Sequence, residues 1–291
     1  MILVSGATGN VASILIPMLL QSGQQVRGLV HEEAKASGLR DQGAEVVVAD
    51  LEKPETLDAA VAGVERIYLI IDNGPNGAQH GINLIDAVKR SGGRPHVVRQ
   101  GMFGDSRSRL NHQHEQVAAA LAESGLPVTT LRPTFFMQNT LGGARTVASA
   151  GQLYWAMDDA KLAMIDIRDI AECAAAVLTS DGHVGEAYVL TGPQAVSFHD
   201  VANALSSALN KPVTYINVLN EALVQSMTEM GVPEWTAQGF AELMDGFKDG
   251  FAKEATDNVE RLTGHPARSV ETFAHDFAGF FGAQPLATDT I

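Results

Sequence analysis

The chain has 291 residues, of which 45% are hydrophobic and 19% charged, with 20 Lys and Arg against 34 Asp and Glu for a net charge of −14. That length suits one large α/β domain with a smaller appended region, and the balance excludes both disorder and an apolar run long enough to cross a bilayer. The charge would repel a phosphate backbone, against direct nucleic-acid binding, and a single cysteine, Cys173, excludes an intramolecular disulfide.

Short runs rich in β-branched residues predict strands at residues 2–5, 25–30, 45–48, 66–71, 96–100, 128–132 and 187–190. Helical patterns at 11–21, 33–40, 55–61, 79–90 and 113–123 separate the earlier strands. Gly23, Gly43, Gly63 and Gly125 follow helical stretches, where a left-handed residue closes the last turn, and Pro54 is well placed at a helix start. Several strands lack an apolar/polar alternation, as expected when helices cover both faces of a parallel sheet. The expected architecture is a Rossmann-type doubly wound α/β domain. Cys173 falls in a helical stretch at 171–178 and reads as a packing residue. Beyond about residue 133 the rhythm changes to helices at 198–209, 221–230, 235–251 and 270–281 around one strand at 213–218. Residues 1–133 plus about 163–192 are therefore expected to form the dinucleotide-binding part. About 134–162 and 193–281 form a substrate-side cap, and 282–291 a loose tail. With no basic or apolar leader before the first strand, a cytoplasmic location is expected.

The motif that carries chemistry is Gly6-Ala-Thr-Gly9-Asn-Val-Ala12, which leads from the first strand directly into a helix. Gly6 permits a sharp exit from the strand, Gly9 lets the backbone approach a pyrophosphate, and the small Ala12 allows close helix–sheet packing. Thr8, Asn10 and Val11 complete the turn, and the helix end supplies N–H groups and a positive dipole to the phosphates. About twenty residues further on, the tip of the second strand carries His31 and no acid at that position. An acid there would repel a 2′-phosphate, so NADP(H) is favoured over NAD(H), with His31 and Lys35 as candidate phosphate contacts. Both are also ordinary solvated side chains at a helix start. Asp50 and Leu51, past the third strand, are candidates to meet the adenine, with Asp50 as a helix cap the competing reading. No metal is expected.

On these residues the chain resembles the NmrA-like group of atypical short-chain dehydrogenases, particularly its bacterial quinone, azo-dye and triphenylmethane reductase branch. The likeness rests on the 6–10 turn, Val26-Arg-Gly-Leu-Val30, the 124–133 segment ending Leu131-Arg-Pro133, Phe135-Phe-Met-Gln-Asn139, Asp166-Ile-Arg-Asp-Ile-Ala171 and the 256–266 segment. The resemblance implies NAD(P) binding, with the loop after Pro133 enclosing the nicotinamide and Thr134, Phe135 and Phe136 lining the substrate side. Phe135 and Phe136, joined by Met102 and Phe103, would wall the acceptor, or else fill the core between sheet and cap.

Departures bear on mechanism. None of Tyr68, Tyr154, Tyr188 or Tyr215 has Lys four residues later, so the Tyr/Lys pair of short-chain dehydrogenases is missing, and Arg99-Gln100-Gly101 replaces the usual serine or threonine after the fifth strand. Where some family members carry a catalytic lysine, alignment places His114, which at an ordinary histidine pKa could donate a proton at neutral pH. His112 would point elsewhere on the same helix. The leading expectation is an NAD(P)H-dependent reductase of a small conjugated aromatic acceptor, a quinone or dye. A dinucleotide-sensing regulator and a reductase or isomerase of a specific aromatic metabolite are the alternatives, and a homodimer is left open.

Overall fold

The computed structural model describes residues 1–104 and 107–282. Of the tail expected at 282–291, Gly282 is helical and residues 283–291 lie outside the described residues. In chain order the elements are β1 (Ile2–Val4), α1 (Ala12–Gln21), β2 (Val26–Val30), α2 (Ser37–Asp41), β3 (Glu45–Val48), α3 (Asp58–Val61), β4 (Arg66–Leu69), α4 (Gly77–Ser91), β5 (His96–Gln100), α5 (Arg109–Ser124) and β6 (Val128–Pro133). Then follow α6 (Ala144–Ala150), β7 (Gln152–Trp155), α7 (Ile167–Thr179), β8 (Ala187–Leu190), α8 (Phe198–Leu209), β9 (Thr214–Asn217), α9 (Asn220–Glu229), α10 (Glu234–Lys248), α11 (Asn258–Thr263), α12 (Val270–Asp276) and α13 (Ala278–Gly282).

Among the described residues, β3-β2-β1-β4-β5-β6-β8 form one parallel seven-stranded sheet. Successive residues of a strand face opposite layers, and both layers here are covered. Ile2 and Val4 pack under α1 and α7, while Leu3 between them packs with residues of α3, α4 and α5. That explains why β1 is apolar at every position rather than alternating. Leu3, Leu15 and Ile16 are fully buried, and burial of each such side chain stabilises the fold by roughly 1.5–3 kcal/mol. Cys173 is also fully buried, and burial pushes its thiol up to about 12, in keeping with packing rather than reactivity.

A third core fills the cap, built on Phe135, Phe198, Phe247 and Phe273. The cap holds two parallel strands, β7 and β9, where one strand is expected from sequence. The predicted helices at 33–40 and 55–61 each open with one turn of 3₁₀ helix before a short α segment. The predicted helix at 270–281 divides at Phe277 into α12 and α13. α11, placed within the cap by sequence, packs on α7 and β8. Just beyond α11, Arg268 pairs with Asp169 and Glu172 of α7, and His265 lies 2.7 Å from Glu172. The Arg268 guanidinium thus bridges the two carboxylates. Among the described residues no helix is long and apolar enough to cross a membrane.

Candidate active site

The strand order reverses between β1 and β4, and in open parallel sheets ligands bind beyond the carboxyl ends of the strands at such a reversal. Ser5 closes this edge: its hydroxyl donates to the Ile70 carbonyl at 3.0 Å and accepts from the Ile70 N–H at 2.9 Å, tying the end of β1 to the end of β4. Gly6 follows at φ +59°, where a Cβ would be strained and would also stand 2.8 Å from Ile70 Cγ2. Gly9 donates its N–H to the Gly6 carbonyl at 2.8 Å, and a Cβ on Gly9 would press on that same oxygen at 3.1 Å. α1 then starts with no side-chain cap and no acid in its first turn, and Thr8, Gly9 and Asn10 are exposed. The helix end therefore offers N–H groups and a positive dipole with no protein carboxylate in that turn to compete. This cradle fits a dinucleotide pyrophosphate.

On the adenosine side, His31 and Lys35 are both exposed, and His31 lies 3.3 Å from the neighbouring acid Glu32. Asp50 accepts the Glu52 N–H at 2.9 Å and meets Lys53 at 3.0 Å; these two contacts, with His31 nearby, hold its carboxyl below the usual range. Its carboxylate is engaged as a turn cap, the competing reading of that residue. Leu51 is half-buried, and its carbonyl accepts from Asn83 at 2.7 Å.

Beyond the turn lies a cavity of about 320 Å³. It brings together Asn10, Met102, Phe103, His114, Thr134, Phe135 and Phe136 from the sequence-derived candidates. It adds Asn73, Gln100 and Asn139, and from α10 Phe240, Leu243 and Phe247, which sequence reasoning does not single out as site residues. Thr134 is committed to backbone, donating to the Ala163 carbonyl at 2.6 Å. Phe103 stacks on Phe251 at 4.7 Å with the Arg132 guanidinium 5.4 Å above its ring, and Phe135 sits within a cluster of Trp155, Phe198 and Phe247.

His114 reaches the cavity from α5. Its side chain is buried, and the Arg99 guanidinium beneath donates to its backbone carbonyl at 2.5 Å. Burial, reinforced by the Arg99 charge, pushes the imidazole down to about 3, so at neutral pH it carries no proton to give as an imidazolium. The group is a neutral ring whose Nδ1 has no hydrogen-bond partner among the described residues. Arg99 is itself buried without a carboxylate among the described residues, and burial together with Arg132 lowers it to about 10. Tyr68 does not replace the missing acid: it is fully buried, hydrogen-bonds Gln100, and burial raises its phenol. His112 is exposed, away from the cavity, as the helical spacing requires.

The chain also matches known proteins over nearly its whole length. The NAD(P)H azoreductase of Xenophilus azovorans is 36% identical over 285 residues, spanning 97% of this chain and 100% of that protein. The NADPH-dependent quinone oxidoreductase of Escherichia coli, solved with NADPH, superposes with a TM-score of 0.86 at 28% identity, covering 95% of this chain and 99% of that one. The triphenylmethane reductase of a Citrobacter species, solved with NADP(H), gives 0.85 at 27% identity over 96% of this chain and 100% of that one. The NmrA-like family model matches residues 1–274, and with that match the chain belongs to the NmrA-like family.

Proposed function

We propose that this protein is an NAD(P)H-dependent reductase of conjugated aromatic acceptors, quinones or dyes, with NADP(H) favoured over NAD(H). The observation that carries this reading is the aromatic cavity that Asn10 of the phosphate cradle also lines, into which no described carboxylate, tyrosine or lysine faces. The relatives named above, an azoreductase, a quinone oxidoreductase and a triphenylmethane reductase, support the acceptor class. Gly6, Thr8, Gly9, Asn10 and Val11 would hold the pyrophosphate, with His31 and Lys35 toward the 2′-phosphate. When bound, the nucleotide supplies a hydride.

The residues of the chain then have two tasks. Phe103, Phe135 and Phe136 lay a flat acceptor against the open end of the cradle and exclude water. The neutral His114 ring offers hydrogen bonding without charge, as a neutral imidazole can toward a developing oxyanion. No group here need deliver a proton during the transfer. Reduction of an unactivated ketone leaves an alkoxide with a conjugate-acid pKa of about 16, whereas a reduced quinone resembles a phenolate near pKa 10. At 1.36 kcal/mol per unit, those roughly six units spare the protein on the order of 8 kcal/mol of charge stabilisation. Water can protonate the product afterwards. The test is the absorbance of NADPH with purified protein and either a quinone or an azo dye. Acceptor-dependent oxidation above the protein-free rate is expected. Tight NADPH binding with no oxidation by any acceptor would instead make the protein a nucleotide sensor.

A further inference from the structure

A second cavity, of about 360 Å³, lies in the cap and shares Asn139 and Phe240 with the active pocket. Helix α10 serves both: Leu243 and Phe247 face the active pocket, and Met244 faces the second cavity. Between the two, Phe135 of the active pocket meets Trp155 of the second cavity edge to face, with ring centroids 5.6 Å apart at 84°. Trp155 in turn stacks on Phe198 at 5.4 Å and 11°. Leu223, Met227, Met230 and Val218 supply an apolar, adaptable lining. Tyr154 and Met230 line this cavity and yet are 39% and 55% exposed, large apolar side chains left open to solvent where a ligand would cover them.

Volume decides what the active pocket can hold alone. A cavity of about 150 Å³ accommodates one benzene ring, so the nicotinamide and the reacting ring of the acceptor take up most of the 320 Å³. For a second acceptor ring the neighbouring apolar space is the cap cavity, which shares Asn139 and Phe240 with the active pocket. We propose that this cavity is a second subsite, holding the distal ring of an elongated two-ring conjugated acceptor whose reacting ring lies in the active pocket. The proposal rests on the reductase reading for the placement of the reacting ring.

Gly142 gives a clean way to block it. It lines the cavity, its backbone is not left-handed, and a Cβ there would meet nothing within 4 Å, so Gly142→Phe adds a ring to open space without strain. The chain has two tryptophans, Trp155 and Trp235, so Trp235→Phe leaves Trp155 as the reporter. With saturating NADP⁺ to prevent turnover, 4-hydroxyazobenzene should quench Trp155 saturably, and Gly142→Phe should abolish that quenching. In turnover, Gly142→Phe should raise KM for the azo compound by roughly tenfold or more while leaving KM for single-ring benzoquinone unchanged. Quenching that survives Gly142→Phe would place the whole dye in the active pocket and overturn the proposal, as would an equal loss for both acceptors. Saturable quenching lost in Gly142→Phe, with no NADPH oxidation by either acceptor, would sink the reductase reading and leave the subsite standing.

Discussion

The neutral state of His114 can be measured without any assumption about the substrate. In the unfolded chain this histidine takes up a proton near pH 6.5, whereas in the folded chain burial and Arg99 hold it unprotonated down to about pH 3. Across that window the unfolded state binds more protons, so folding stability must fall as pH drops below 6.5. Between pH 7 and pH 5 the unfolded site gains most of one proton and the folded site almost none, a difference of about 2 kcal/mol. His114→Gln removes the titrating group while keeping a polar side chain, and the carboxylates that titrate elsewhere are common to both proteins. Urea unfolding at pH 7 and pH 5, without nucleotide, should show wild type losing about 2 kcal/mol more than His114→Gln on acidification. Equal losses in the two proteins would mean that His114 is solvated and able to protonate, and the argument for an uncharged active pocket would fail.

Gly9→Val should weaken NADPH binding by roughly 100-fold or more, because the branched side chain crowds the Gly6 carbonyl and the phosphate approach. The unfolding midpoint should stay near wild type; nucleotide fluorescence titration checks the first point and urea denaturation the second. His31→Asp should lower the ratio of NADPH to NADH affinity about fivefold, the effect of roughly 1 kcal/mol of repulsion at 4 Å in water, and an unchanged ratio would remove position 31 as the ribose selector. Arg268→Met should cost about 3 kcal/mol in urea unfolding, since Asp169 is fully buried and would lose its counter-charge.

Much of the sheet was legible because its strands are short apolar runs, and 45–48, 96–100 and 187–190 match β3, β5 and β8 residue for residue even though β3 is a partly exposed edge strand. The glycine turn was legible for a related reason: its meaning depends only on the strand before it and the helix after it. The cap was harder. β7 is four residues, Gln-Leu-Tyr-Trp, and it acquires strand character by pairing with β9 some sixty residues later, a contact no local pattern encodes. In α10 the spacing of Phe240, Leu243, Met244 and Phe247 marks an amphipathic helix, but the same stripe would serve a core or a cavity wall. His114 was found by position, and its charge state was not, because that depends on its burial in the fold and then on Arg99 lying beneath it on β5.

Hydride transfer without a protein acid is tested by comparing kcat/KM for a quinone, an azo dye and an aliphatic ketone at saturating NADPH. Turnover of the conjugated acceptors is expected, with reduction of the ketone far slower, because its alkoxide needs about 8 kcal/mol more stabilisation than a phenolate-like product and the described residues place no charged acid in the pocket. Ketone turnover at a rate comparable to the quinone would contradict that expectation.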